Sequence, residues 1–295
     1  MTETELMLTI GVIAALIVLP LGVLGLVRLM VPLREEPEPE PEPAAEIATL
    51  RDYWEGAMPH LRELRDRLIK CLAGILLGAI VGFWFVSAAS PIGPLPELIV
   101  AHFAPGHTLQ AIGVAEIFVQ YMGIALLVGF AIAIPVVVYQ LIAFFAPGLT
   151  VREKRMLFIA LPFVTELFVA GMAFGWFFTI PAALQFLLNF GISGQIEVRP
   201  TPENFFSTIT TLLLWNGLVF ELPAIVYLLA RVGAVNAKQL GQTRRYAIVI
   251  ITIVAAIITP TGDPYNLLLL AIPMYLLYEL GILLARFVPR RPTAI

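Results

Sequence analysis

The sequence predicts an all-helical, polytopic membrane protein, and three observations carry that expectation. The 295 residues are 59% hydrophobic and only 13% charged, about half the charge with which a soluble domain covers itself. Mean hydropathy is +0.91. The apolar residues gather into seven runs, roughly 6–31, 68–89, 116–145, 156–181, 204–230, 246–259 and 265–286, and six of them exceed the ~20 residues that a spanning helix needs. Basic residues sit in short clusters at the ends of these runs, where they orient a membrane protein; no patch suited to nucleic acid is formed, and no nucleic-acid partner is expected.

Taken in order, the first run follows an acidic leader, Met1-Thr-Glu-Thr-Glu5, and no small-x-small cleavage site follows it. It therefore reads as a retained transmembrane helix within residues 1–33, not as a secretory signal. Residues 34–53 form an acidic linker whose Glu-Glu-Pro-Glu-Pro-Glu-Pro-Glu-Pro stretch at 35–43 alternates a locked φ with a repelling charge, a recipe for extended polyproline II. A six-span core, 54–288, and a short tail, 289–295, complete the chain. The sixth run is short: 14 residues rise only about 21 Å, less than the bilayer core. Pro135, Pro162, Pro223 and Pro273 interrupt other runs and predict kinks and a curved bundle. If the first helix runs from outside to inside, seventeen of the eighteen Lys and Arg residues lie on the cytoplasmic side and only Arg199 lies outside. The expected topology is N-terminus out, C-terminus cytoplasmic.

The residues that could carry chemistry are few. The single cysteine, Cys71, lies in an apolar run, and His60, His102 and His107 all lie outside the spans, so no disulfide, metal site or cofactor is expected. Gly191-Ile-Ser-Gly194 matches a serine-protease string, but no span supplies the base that a serine nucleophile requires. The chain is not expected to be an enzyme. His60-Leu-Arg-Glu-Leu-Arg-Asp-Arg-Leu68 places Leu61, Leu64 and Leu68 on one helical stripe beside two i,i+4 pairs, Arg62 with Asp66 and Glu63 with Arg67. Glu153 stands among Arg152, Lys154 and Arg155 after the Pro147-Gly148 stop. Glu166, Glu221 and Glu279 interrupt apolar runs. A charge at the bilayer centre costs about 2.5–3.5 kcal/mol on insertion scales, so each is a functional candidate.

With these residues laid out, the chain from about 54 to 288 resembles the TatC family, the multispanning subunit of the twin-arginine protein translocase. The resemblance rests on His60-Leu-x-Glu-Leu-Arg-x-Arg-Leu68 and on Pro135-x-x-x-Tyr-Gln-x-x-Ala-Phe144 followed by Ala146-Pro147. It continues through Glu153-Lys-Arg, Gly171-Met-Ala-Phe174, Phe220-Glu-x-Pro223, Thr259-Pro260 with Asp263, and Ala271-Ile-Pro-Met-Tyr275 with Glu279.

The resemblance implies a cup-shaped six-helix bundle in the cytoplasmic (inner) membrane, with both core termini cytoplasmic. It implies that Glu63 and Glu153 receive the paired arginines of a signal peptide, with Arg65, Gln140 and Phe144 close by. Glu221 would mark the concave face where the peptide's apolar part and a single-span partner subunit of TatA or TatB type dock. Asp263, Glu279 and Pro135 are further family-matched positions. The implied function is to bind twin-arginine signal peptides of folded precursors within an oligomeric complex and to organise their export, driven by the protonmotive force. A proton-coupled secondary transporter using Glu166, Glu221 and Glu279 is the rival, although the sequence lacks the internal repeats many transporters carry.

Overall fold

The computed structural model describes residues 50–87, 94–106, 108–145, 151–189, 199–231, 233–259 and 263–288, with backbone alone at 50–57, 145, 151–160 and 189. The expected first helix, linker residues 34–49 and the tail from residue 289 lie outside the described residues, as do Pro147, Gly148 and the Gly191–Gly194 string; residues 50–53, expected to end the linker, are instead the first turn of a helix.

Among the described residues every regular element is helical. The order is α1 (Leu50–Val86), α2 (Leu95–Phe103), α3 (Glu116–Phe145), α4 (Val151–Phe174), a π-helical stretch (Gly175–Thr179), α5 (Ile180–Asn189), α6 (Pro202–Phe220), α7 (Leu222–Arg231), α8 (Ala237–Gln242), α9 (Arg244–Ile258) and α10 (Pro264–Arg286). Five stretches are long and apolar enough to cross a membrane: Met58–Val86, Glu116–Phe144, Leu161–Leu188, Pro202–Arg231 and Pro264–Arg286. The sixth, α9, has 15 residues and rises only about 22 Å, so its ends must be completed by flanking residues or by local thinning of the bilayer.

Three elements differ from the sequence expectation, each for a local reason. The surface stripe around Leu61–Leu68 and the first core span form one unbroken helix, α1, with Pro59 inside it. The segment after the first core span contains α2, whose start carries Pro94, a proline at the first helical turn and Glu97, a combination that favours a helix N-terminus. The third core span passes through a π turn, where the Ile180 N–H bonds to the Gly175 carbonyl. Pro181 follows immediately and offers no N–H to the regular ladder.

At Pro223 the expected kink is an interruption of the helix by a single turn residue. The helix stops at Glu221, whose N–H bonds to the Leu218 and Val219 carbonyls, and α7 restarts at Leu222. Pro223 thus occupies the first turn of a new helix, where its missing donor is harmless. Pro135, Pro162 and Pro273 remain inside continuous helices.

α1 packs along α3, α4 along α6, and α7 against α10, while α9 leans on α10. Backbones approach most closely between α1 and α3. A Cβ on Gly129 would lie 2.5 Å from the Ala79 Cα, and one on Gly82 would lie 3.0 Å from the Ala125 carbonyl carbon. The Gly78-Ala-Ile-Val-Gly82 spacing is the small-xxx-small signature of such packing.

The remaining surface is apolar: Leu72, Leu76, Ile80 and Trp84 on α1 and Ile250, Ile253 and Ile257 on α9 are exposed, as lipid-facing positions should be. Polar groups turn inward instead. Asn216 is fully buried and donates through Nδ2 to the Leu212 carbonyl at 2.8 Å, while the Thr179 hydroxyl donates to its Oδ1 at 3.3 Å.

Candidate functional site

At the Glu63 end of α1, helical spacing brings Arg67 beneath Glu63, four residues and about one turn away. The Arg67 guanidinium donates to Glu63 Oε1 from Nε at 3.0 Å and from a terminal nitrogen at 2.5 Å. Its other terminal nitrogen reaches across to α3 and donates to Gln140 Oε1 at 3.4 Å. Gln140 is buried, and Glu63 and Arg67 are half-buried, with side chains 30% and 21% exposed. The close α1–α3 packing, set by glycines about three to four turns further along, is what lets an arginine on one helix touch a glutamine on the other.

Two of the candidate residues, Glu63 and Gln140, are therefore joined through Arg67. Phe144 is half-buried one turn beyond Gln140 on α3. Glu153 lies in the first turn of α4, where only backbone is described. Arg65 is not brought to this contact; it is strongly exposed and pairs with its neighbour Asp66 at 2.8 Å, because two residues along a helix turns the side chain to roughly the opposite face.

Glu221 occupies a different place. The α6–α7 interruption buries it to 6% exposure beside an open groove of about 520 Å³ that Phe130, Ile134, Phe163, Val164 and Leu228 also line. Its Oε1 has no hydrogen-bond partner among the described residues. An unsatisfied buried acceptor in apolar surroundings is costly, and among the described lining residues only Tyr227 adds a second polar group to an otherwise apolar concavity. Glu166 is half-buried on α4.

Glu279 is engaged inside the chain. Arg244, at the start of α9, donates to both its oxygens at 2.7 and 2.8 Å, and the Tyr275 hydroxyl donates at 2.9 Å. This two-toothed pair ties the short helix α9 to α10, and arginine's planar fork is what makes it possible. Arg244→Lys, which keeps the charge but loses the fork, is accordingly expected to lower the thermal midpoint slightly. Thermal unfolding in detergent measures it, and an unchanged midpoint would deny the pair a structural role.

Pro135 adjoins the groove-lining Ile134, and Asp263 has a local structural part. Asp263 caps α10, accepting from the Asn266 N–H and Nδ2 at 2.8 Å each; Pro135 lies in mid-α3.

Three contributors escaped the sequence reading. Arg67 was visible only as a helix pair with Glu63. Arg244 gave no sign of its partner 35 residues away. Glu116 ties together the end of the bundle opposite Glu63: its carboxylate accepts the Ile112 and Gly113 N–H groups at 2.8 and 3.1 Å and, 87 residues on, the Glu203 N–H at 3.0 Å.

Comparison with known proteins agrees with this architecture. The family described as Sec-independent protein translocase protein (TatC) matches residues 59–273. The Sec-independent protein translocase protein TatC of Deinococcus radiodurans is 35% identical over 231 residues, 77% of this chain and 84% of the relative. That of Aquifex aeolicus is 36% identical over 234 residues, 79% of this chain and 95% of the relative. A crystal structure of the twin arginine translocase receptor TatC superposes with a TM-score of 0.66 at 34% identity, over 78% of this chain and all of that one. With the family matched over most of its length and its fold shared with a solved member, the chain belongs to the TatC family and is a multi-pass membrane component of a Sec-independent protein translocase.

Proposed function

We propose that this subunit is the receptor that binds twin-arginine signal peptides of folded precursors at the Glu63 end of the bundle. It then organises single-span partners of TatA or TatB type around the Glu221 groove, with export driven by the protonmotive force. The observation that carries the proposal is Glu63, a carboxylate held half-buried where α1 meets α3 and linked through Arg67 to Gln140. A carboxylate accepts a guanidinium through two parallel hydrogen bonds that an ammonium cannot reproduce, so a site of this kind favours arginine. Glu153, at the start of α4, supplies the second acidic position for a paired ligand, and Phe144 an apolar wall. The test is binding of a labelled twin-arginine signal peptide to the purified protein, compared with its twin-lysine counterpart. Equal affinities for the two would sink the proposal.

The groove is the natural seat for an apolar helix, and Glu221 offers it one polar contact. Glu221→Gln should retain crosslinking to a single-span partner because the amide still hydrogen-bonds, whereas Glu221→Leu should weaken it several-fold, roughly the loss of one desolvated hydrogen bond. Site-specific crosslinking from Phe163 or Leu228 reads this out. Full crosslinking and export by the Leu variant would assign Glu221 no part in docking.

The charge distribution supports a cytoplasmic-membrane protein with the Glu63 surface inside the cell. A reporter fused at residue 1 is expected outside and one after Ile295 in the cytoplasm; an inward residue 1 would overturn this orientation.

A further inference from the structure

The receptor carboxylate already holds an arginine. The Arg67 guanidinium spans Glu63 and Gln140, two of the residues assigned above to the ligand, and uses the chemistry that a signal-peptide arginine would use: paired N–H donation to the carboxylate and a further bond to the amide oxygen. Both Arg67 donors converge on Oε1 of Glu63. We propose that Arg67 is a built-in occupant of the recognition site, a tethered guanidinium that the ligand's arginine must displace from Glu63. The inference rests on Glu63 being part of the receptor site.

Three physical points support displacement over co-occupancy. A second guanidinium brought to the same carboxylate would place two cations within a few ångströms in a half-buried setting, where like charges repel strongly. The tether is cheap to keep, since an i,i+4 partner on a rigid helix loses little freedom on pairing. It is also cheap to break: a partly exposed ion pair contributes little net free energy, so an incoming arginine can take its place at small cost. The resident arginine thereby keeps Glu63 neutralised when no ligand is present and raises the affinity threshold for every cationic segment that drifts past.

Simple competition makes a quantitative demand. An internal competitor weakens all ligands of the site by one common factor, so removing it must strengthen twin-arginine and twin-lysine peptides equally and leave their ratio unchanged. Arg67→Gln, which keeps an amide able to reach Gln140, is expected to tighten both peptides by about twofold to fivefold, the range corresponding to an ion pair of that exposure. Arg67→Lys, a charged but forkless competitor, should fall between the variant and the wild type. Peptide titrations against the full chain in detergent, with circular dichroism and size exclusion to establish folding, measure all three; if the Gln variant does not fold, the Lys variant carries the test.

A weaker twin-arginine affinity with a reduced arginine-to-lysine ratio would overturn the proposal and make Arg67 a positioning residue for Glu63. Unchanged affinities would also overturn it and leave Arg67 as a helix pair alone. If Glu63→Gln itself binds like wild type, the receptor assignment fails first and this inference with it.

Discussion

Gly129→Leu is expected to separate α1 from α3 and to leave little folded protein in detergent. At this crossing the Gly129 backbone lies against Gly78 and Ala79, and an added Cβ would already overlap Ala79 Cα at 2.5 Å. No flexible side chain can yield there, because the obstacle is backbone; one helix must move. Overpacking of a tight contact costs about 1–3 kcal/mol when neighbours can shift and more when they cannot, and membrane helices that associate through small residues have little besides close packing to hold them. The loss should spread to the recognition surface, since the Arg67–Gln140 contact bridges the same two helices. Gly123→Ala is the matched control: a Cβ there meets nothing within 4 Å, and alanine favours a helix over glycine by about 1 kcal/mol. The yield of monodisperse protein and its thermal midpoint measure both variants. A Gly129→Leu protein that melts with the wild type would show that α1 and α3 do not depend on backbone contact.

Glu63→Gln should lower twin-arginine peptide affinity by about tenfold or more, the value of one hydrogen bond to a charged group. Glutamine is a better probe than alanine. It keeps an acceptor for Arg67, whereas alanine would leave that half-buried guanidinium without its carboxylate and confuse lost recognition with a disturbed helix. The same substitution at Glu153 is expected to weaken binding in the same direction. Peptide titration by fluorescence anisotropy reads the effect, and circular dichroism should show an unchanged helix content. Wild-type affinity in the folded Glu63→Gln protein would remove Glu63 from the recognition surface.

Much of this was legible in the residues because the bilayer enforces simple rules. A span must be apolar, helical and about 20 residues long, so five of the core spans could be read as runs, and the brevity of the run at 246–259 announced the short α9. Family-matched motifs pointed to Glu63, Gln140 and Glu221 for the same reason that they pointed to the fold: each stands at a fixed distance from a recognisable helix end or proline. Proline chemistry was only half legible. Pro223 predicted a bend, but whether a helix bends or is interrupted depends on whether neighbours satisfy the freed backbone groups, and here the interruption leaves Glu221 at the rim of a groove. Pro135, Pro162 and Pro273 are tolerated inside continuous helices.

By itself the sequence determined the membrane class and the approximate places of the core spans, since hydrophobic length is a property of the chain read one segment at a time. Only the tertiary structure decided which charges meet. Glu279 and Arg244 are 35 residues apart, Glu116 and the Glu203 N–H 87, and Arg67 and Gln140 73; no periodicity within one helix specifies partners on another. Those pairings follow from how closely the helices pack, and that closeness is set by glycines whose role shows only when a second backbone lies against them. A carboxylate such as Glu279 and one such as Glu221 are alike in sequence context, each a single acid in an apolar run. Packing places an arginine fork beside the first and an empty apolar groove beside the second.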